Sequence, residues 1–485
     1  MADLTKLSHK LAAISGSIED SDASPLETAW RELHEETTLT KKSLRLRRQG
    51  KKYSFTDESL GREWTIYPFA FELIPTNAGG AGENGIQIDW EHEAWSWVDP
   101  HDVFDGEASE CVPNLAKSLR RVYFETDLGF DAGKNLSAGI KMLQDDHHNG
   151  ARVLAGNALL VLGDVAEVLQ SRTAAEWWDD ARMAAWHLWK NGRESMGAAI
   201  LNVMICSLEI LEREVLPSYE DLTQTQLENV IRTNLDAYGE TRIPVNQHIS
   251  RQFRSYLNEI FPINRPVRIL TLSSSSTILT CLKDAIKSCD RDFDLRILES
   301  RPLFEGASMA ANLAVEINAA NTASNSRQHQ IAVYTDACAG IASQDVDLVL
   351  LGADLISANG DVCNKTGSLA AVLCARHISP NVNVTVVADS EKVFPFEAPR
   401  SEENDESEVT VAWSGLTASQ GAAAVLAPVG NITNPAMSIR NVYFEWVPSQ
   451  FVTTYLLEKG GKNAADIEVM AGSVREKANR LFDDL

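Results

Sequence analysis

Asp354 ends an apolar run, Leu348-Val349-Leu350-Leu351-Gly352-Ala353, and Asn364-Lys365 follow it. A short apolar run of this kind reads as a buried parallel strand. It delivers the carboxylate to the crevice beyond the strand C-termini, where open α/β sheets bind ligands. Asn359-Gly360-Asp361 turns the chain, and a helix starts near Gly367. A carboxylate, amides, a lysine and a helix N-terminus gathered at one edge suit a phosphorylated polar ligand. The plainer alternative is a turn whose Asp and Asn only cap the next helix. Two further strand ends add candidates. Ser273-Ser274-Ser275-Ser276 offers hydroxyls and a helix start, and Arg301 offers a bidentate phosphate partner. Arg193 and Ser195, at another helix start, could grip a phosphate or simply form a cap with a surface Arg. Near the N-terminus, Glu32, Glu35 and Glu36 fall three and four residues apart, on one helix face. Three such carboxylates repel unless a cation lies between them, so Mg²⁺ against a diphosphate is one reading and a solvated acidic face the other.

The elements that must position these groups follow from pattern. Ser24-Pro25 is a helix start with Ser24 as N-cap, and Glu27 completes a capping box. Residues 76–85 are Gly-rich and read as a flexible loop between strands, without the following helix a phosphate loop needs. Between residues 130 and 260 apolar residues recur at helical spacing. Trp177, Trp178, Trp186 and Trp189 there read as core or interface aromatics, and His248 as a structural or surface residue. From residue 267 the period switches. Strands are expected at 267–271, 295–298, 331–334, 348–351 and 382–387, alternating with helices, which implies right-handed βαβ units and a parallel sheet. No GxGxxG follows any of these strands, so a dinucleotide site is not indicated. Residues 401–408, SEENDESE, read as a mobile acidic surface insertion.

The totals limit the alternatives. The chain has 485 residues, enough for two or three domains. A formal charge of −24 argues against direct nucleic-acid binding. Seven cysteines without CxxC pairs favour a reducing compartment and neither a disulfide framework nor a zinc site. No membrane span and no secretory signal are expected, and a cytoplasmic location is the default.

Two resemblances sharpen this reading. Arg31-Glu32-Leu33-His34-Glu35-Glu36-Thr37, with Ile14-Ser15-Gly16-Ser17-Ile18-Glu19 before it, resembles the Nudix box, and Glu93-Ala94-Trp95-Ser96-Trp97-Val98 resembles a closing Nudix strand. The likeness covers residues 8–110. Ala23 stands where the family's acidic residue is expected, Thr38 where its glycine is, and Ser17 where its second loop glycine is. A degenerate Nudix scaffold kept for binding or packing is favoured over a hydrolase.

From about residue 130 to 470 the chain resembles the superfamily of translation initiation factor 2B alpha, beta and delta subunits, methylthioribose-1-phosphate isomerase and ribose-1,5-bisphosphate isomerase. Glu299-Ser300-Arg301-Pro302-Leu303-Phe304-Glu305-Gly306, Gly352-Ala353-Asp354 and the stretch from Asn359 to Gly367 carry the likeness. It implies that Asp354 is catalytic, that Asn364-Lys365 binds substrate and that the C-terminal domain dimerises. Ser273 stands where the isomerases place a catalytic Cys; a serine without an adjacent base is a poor substitute.

The expected architecture is an α/β protein. A Nudix-like α+β domain (1–125) precedes a helical domain (130–262) and a Rossmann-like parallel-sheet domain (263–485). Three functions compete. One is an aldose–ketose phosphate isomerase using Asp354 and Ser273, with Arg193, Ser195, Ser274, Ser275, Arg301, Asn364 and Lys365 binding substrate. Another is a non-catalytic initiation-factor-like regulatory protein. The third is a Nudix hydrolase with Mg²⁺ on Glu32, Glu35 and Glu36. The C-terminal domain needs no cofactor in this reading. Its partners are a phosphorylated small molecule and further copies of the chain.

Overall fold

The computed structural model describes residues 10–58, 61–105, 111–147, 149–171, 173–263, 265–323, 327–396, 404–413 and 438–485. The first helix, α1 (Pro25–Thr37), starts as its sequence dictates: Pro25 occupies the first turn and the Ser24 hydroxyl accepts the Glu27 N–H at 3.3 Å. It stops at Thr38, whose φ of +59° is unusual for a β-branched residue, and whose N–H bonds to the His34 carbonyl at 2.8 Å. Four strands follow: β1 (Leu44–Gln49), β2 (Tyr53–Asp57), β3 (Arg62–Ile66) and β4 (Phe69–Leu73). They form two separate antiparallel pairs, β1 with β4 and β2 with β3.

Residues 76–85 form two short 3₁₀ turns. The expected closing strand at 93–98 is not a strand. Every residue from Glu93 to Val98 is exposed, so there is no buried face to reward pairing. Instead Gln87 and Asp89 donate backbone N–H groups to the carbonyls of Thr37 and Glu36 at the end of α1.

Short helices α2 (Pro100–Asp105), α3 (Leu115–Arg120) and α4 (Phe124–Asp127) lead into the helical layer. It contains α5 (Phe130–Asp145), α6 (Ala151–Ala166), α7 (Ala174–Asn191), α8 (Gly197–Glu214) and α9 (Gln224–Arg242). The stretch 194–214 is long and apolar enough to cross a membrane, but two thirds of it is buried inside this layer, where Ile200, Leu201, Met204 and Leu208 are inaccessible. Trp177, Trp186 and Trp189 are buried in the same core and Trp178 packs against it. The next helix, α10 (Val245–Ile260), packs elsewhere: Ile249, Phe253 and Leu257 join the core beneath the sheet.

The sheet strands are β5 (Val267–Leu272), β6 (Phe293–Leu298), β7 (Gln330–Tyr334), β8 (Leu348–Leu351), β11 (Asn383–Val387), β13 (Thr454–Leu457) and β14 (Gly460–Lys462). Their spatial order is β14-β13-β11-β8-β5-β6-β7, all parallel except β14. The chain therefore grows outward from β5 in one direction and restarts at β8 in the other, which makes β5/β8 the switch point. A small antiparallel sheet, β12-β10-β9, sits beside it, built from β9 (Leu355–Ile356), β10 (Val362–Lys365) and β12 (Phe444–Val447). Helices α11 (Ser276–Ser288), α12 (Glu305–Ala323), α13 (Ala339–Ala342) and α14 (Ser368–Ile378) follow β5, β6, β7 and β10.

Of the acidic stretch 401–408, residues 401–403 lie outside the described residues. The rest is not a free loop. Asp405 caps α15 (Glu406–Val411), and Glu408 accepts hydrogen bonds from Asn441 at 2.8 Å and from the Tyr443 hydroxyl. The last helix, α16 (Ala464–Phe482), returns to the helical layer, where Leu481 and Phe482 join its core and Arg182 reaches Asp484.

His187 on α7 is fully buried, with Nδ1 on the Asn191 amide at 2.9 Å. Burial first, then the charges of Arg48 and Arg121, push it from 6.5 down to about 3. The folded protein thus keeps it neutral. As pH falls through 6.5 the unfolded chain takes up a proton that the fold refuses, so stability present above pH 6.5 is lost by ~1.4 kcal/mol per unit toward pH 3. Urea denaturation should show wild type losing about 0.7 kcal/mol more than His187→Gln from pH 7 to 6 and about 1.2 kcal/mol more from pH 6 to 5. Parallel losses would refute the assignment.

Candidate functional site at the strand ends

The switch point brings β5 and β8 together, and with them Ser273 and Asp354. Ser273 has φ +67° and Ser300, at the end of β6, φ +61°. Each left-handed serine costs on the order of 1 kcal/mol, and such residues cluster at functional sites. The two lock each other: the Ser273 N–H donates to the Ser300 hydroxyl at 2.7 Å. Asp336, after β7, accepts the N–H groups of Ser300 and Arg301 at 2.9 and 2.8 Å. Ser275 caps α11 through the Ile278 N–H, and a Cβ at Gly352 would stand 3.4 Å from its hydroxyl and 3.5 Å from the Asn364 side-chain oxygen. These are ordinary contact distances, so Gly352 lies directly between the Ser275 hydroxyl and the Asn364 side chain.

Asp354 is half-buried, and its N–H holds the Cys363 carbonyl at 2.9 Å. Among the described residues its carboxylate has no hydrogen bond or ion pair. Arg301 is exposed, its guanidinium 5.6 Å from the Phe304 ring.

Other predicted groups are already engaged. The Asn364 amide donates to Ser368 at 2.9 Å. Lys365 is buried between the Tyr443 and Phe444 rings and pairs with Glu305 at 3.0 Å. The start of α14, expected to attract an anion, is occupied by a protein carboxylate: Glu445 accepts the N–H groups of Gly367 and Leu369 at 2.7 and 2.9 Å. Asp361 is structural, accepting the Ser449 N–H at 2.7 Å. Arg193 is buried and donates to the Asp146 carbonyl at 2.8 Å, tying its turn to the end of α5. The buried Ser195 hydroxyl has no hydrogen-bond partner among the described residues.

A second group of residues at this edge is not evident from motif spacing. Asp389 follows β11, beside Arg152 of α6, Glu391 and Lys392. Its signal in the sequence is a repeat of the Asp354 pattern: an apolar strand ending in Ala-Asp, Val384 to Asp389.

At the N-terminus, Arg31 is the cation between the carboxylates. It pairs with Glu32 at 2.7 Å, Glu35 at 3.1 Å and Asp22 at 3.0 Å, and donates to the Ser17 carbonyl at 2.9 Å. Asp22, one residue before the Ala23 that stands where the Nudix resemblance expects an acid, is held far below the ordinary carboxylate range by this bond. Glu36 turns away, buried on His92, and burial pushes its carboxyl up. The three glutamates therefore do not converge. Among the described residues no group of three or more His, Cys, Asp or Glu side chains could hold a metal ion. A hard Mg²⁺ ion needs converging oxygens, so this donor set does not fit it.

The match to the initiation factor 2 subunit family covers residues 148–464, well over half of the chain. The chain belongs to that family. Residues 5–122 match the NUDIX domain. Among relatives, the methylthioribose-1-phosphate isomerase of Magnetococcus marinus is 30% identical over 189 residues, 37% of this chain and 45% of that protein. That of Pelotomaculum thermopropionicum is 29% identical over 272 residues, 54% of this chain and 64% of that protein. The chain thus spans about half the length of the curated relatives it matches. Of solved structures, eIF2B beta from Chaetomium thermophilum has a TM-score of 0.49 at 16% identity, covering 74% of this chain and 96% of that one. The 5-methylthioribose 1-phosphate isomerase from Pyrococcus horikoshii has a TM-score of 0.47 at 18% identity, covering 70% and 87%.

Proposed function

We propose that the strand-end crevice binds an aldose 1-phosphate and converts it to the ketose 1-phosphate, with Asp354 as the proton-carrying base. The observation that carries this reading is the Asp354 carboxylate itself: half-exposed at the switch point, and without a hydrogen-bond or ion-pair partner among the described residues. A structural aspartate would be spent on a cap, as Asp361 is on Ser449. The relatives named methylthioribose-1-phosphate isomerase supply the substrate class. Arg301 and the hydroxyls of Ser274 and Ser275 at the start of α11 are the groups for the phosphate. Asn364 and Lys365 line the base side, where an incoming phosphate competes with Glu305 for the lysine. Self-association through the sheet domain belongs to the same proposal.

Purified full-length protein should convert methylthioribose 1-phosphate or ribose 1,5-bisphosphate to a ketose, seen by ³¹P and ¹³C NMR without added metal. No conversion of either ester at micromolar enzyme would refute the reading. The N-terminal glutamates favour no second, hydrolytic reading, since Arg31 and His92 engage them.

A further inference from the structure

The turn after β11 is fastened from three directions. Asn202 of α8 donates to the carbonyls of Glu391 and Val393 at 2.8 and 2.9 Å. Arg242 of α9 makes two bonds to the Glu391 carboxylate, at 2.7 and 2.8 Å. Glu458, after β13, accepts the Ser390 N–H and hydroxyl at 3.1 and 2.7 Å. Within this fastened turn Asp389 is only 2% exposed, and neither of its carboxylate oxygens has a hydrogen-bond partner. A carboxylate left buried and unbonded is costly if it is charged, so such a group calls for a reason. The nearest cation, Arg152, lies 3.7 Å away, and its own Nη2 also lacks a partner. That separation is too long for a direct bond and suits two groups bridged by a third oxygen.

Position supplies the reason. The neighbouring strands β8 and β11 pair in register up to Leu351 and Val386, and Asp354 and Asp389 each lie three residues beyond that pair. The Lys392 ammonium, from the same turn, donates to the Ala353 carbonyl, one residue before Asp354.

We propose that Asp389 is the second acid–base group of this site, touching the sugar ring oxygen opposite Asp354. The assignment rests on the isomerase reading above and takes the role that Ser273, lacking a base beside it, cannot fill. In the first step Asp354 takes the proton from C2 and that C–H pair becomes the C1–C2 double bond. The bond from C1 to the ring oxygen breaks, and that oxygen takes the Asp389 proton. In the second step the C2 hydroxyl returns a proton to Asp389 and becomes the ketone, while C1 receives the proton held by Asp354. Burial is the main cause that pushes the Asp389 carboxyl up; Glu391 and Glu458 add to it, and Lys392 and Arg152 oppose it. That net direction is the one an acid delivering a proton to the ring oxygen needs.

The test compares Asp389→Asn with wild type. We expect kcat to fall ~100-fold or more with KM within ~3-fold. We also expect unchanged or raised thermal stability, because the amide removes a buried acid without changing its shape. Infrared difference spectra at pH 7 should show a protonated-carboxyl band in wild type that the variant lacks and that shifts when ribose 1,5-bisphosphate is added. A kcat within threefold of wild type, or no such band, overturns the assignment. A wild type that binds the ester without converting it removes the isomerase reading and the proton steps with it; a band that still shifts then retains Asp389 as a sugar contact, and one that does not removes that too.

Discussion

Asp354→Asn should lower kcat for an aldose 1-phosphate by about a thousandfold while leaving KM within about threefold. The asparagine fills the same volume and keeps the backbone bond to Cys363. Because the carboxylate has no hydrogen-bond or ion-pair partner among the described residues, its loss unsatisfies nothing, and stability should move by less than ~0.5 kcal/mol. The amide can still donate to a sugar hydroxyl, so binding survives. What it cannot do is accept a proton from carbon at neutral pH. A loss of turnover with unchanged melting therefore separates chemistry from folding. Steady-state kinetics with either ester, beside thermal denaturation of the same preparations, reads both. A variant that keeps a tenth of wild-type kcat would remove Asp354 from the proton path.

The sheet was legible because its strands are short apolar runs bounded by polar turns. Leu348 to Leu351 could hardly be anything but a buried strand, and burial at every position confirms why. The motif residues at the strand ends were legible as a set because parallel strands deliver their ends to one edge. What sequence could not show is which groups the fold consumes internally. Lys365 reads as a phosphate ligand until Glu305 appears beside it, and the α14 N-terminus reads as an anion site until Glu445 fills it. Both partners come from other elements, at separations no local pattern encodes. Arg31 is the opposite case, since it is adjacent to Glu32 and four residues before Glu35 on the same helix. The spacing predicted that some cation was required, and the neighbouring residue supplies it. The residues flanking Asp389 match no motif, although its strand ends in the same Ala-Asp pair as that of Asp354.

Arg48→Met should destabilise the protein by about 2–4 kcal/mol. Arg48 lies on β1 and is only 4% exposed. Its guanidinium grips Glu125 with two bonds, at 2.5 and 2.7 Å, and donates to Ser137 at 2.9 Å and to the Val122 carbonyl at 3.0 Å, while stacking 4.0 Å from the Phe124 ring. Methionine keeps the packing of the stem and removes only the fork. Glu125 then loses its cation where water can reach it only partly, since a quarter of its side chain is exposed. That partial access puts the expected cost at the lower end of the range for broken buried pairs. Adding Glu125→Gln should recover part of the loss, because it removes the uncompensated charge. The consequence extends along the chain. Gln49, the next residue, exchanges two bonds with the Asn191 side chain at 2.6 and 2.9 Å, and Asn191 begins the turn that carries Arg193 and Ser195. With the phosphate at Arg301 and the start of α11, loosening β1 should leave sugar-phosphate affinity within about twofold by calorimetry while stability falls, which confines β1 to a packing role. A several-fold loss of affinity that the double variant restores together with stability would instead move the phosphate to the turn carrying Arg193 and Ser195.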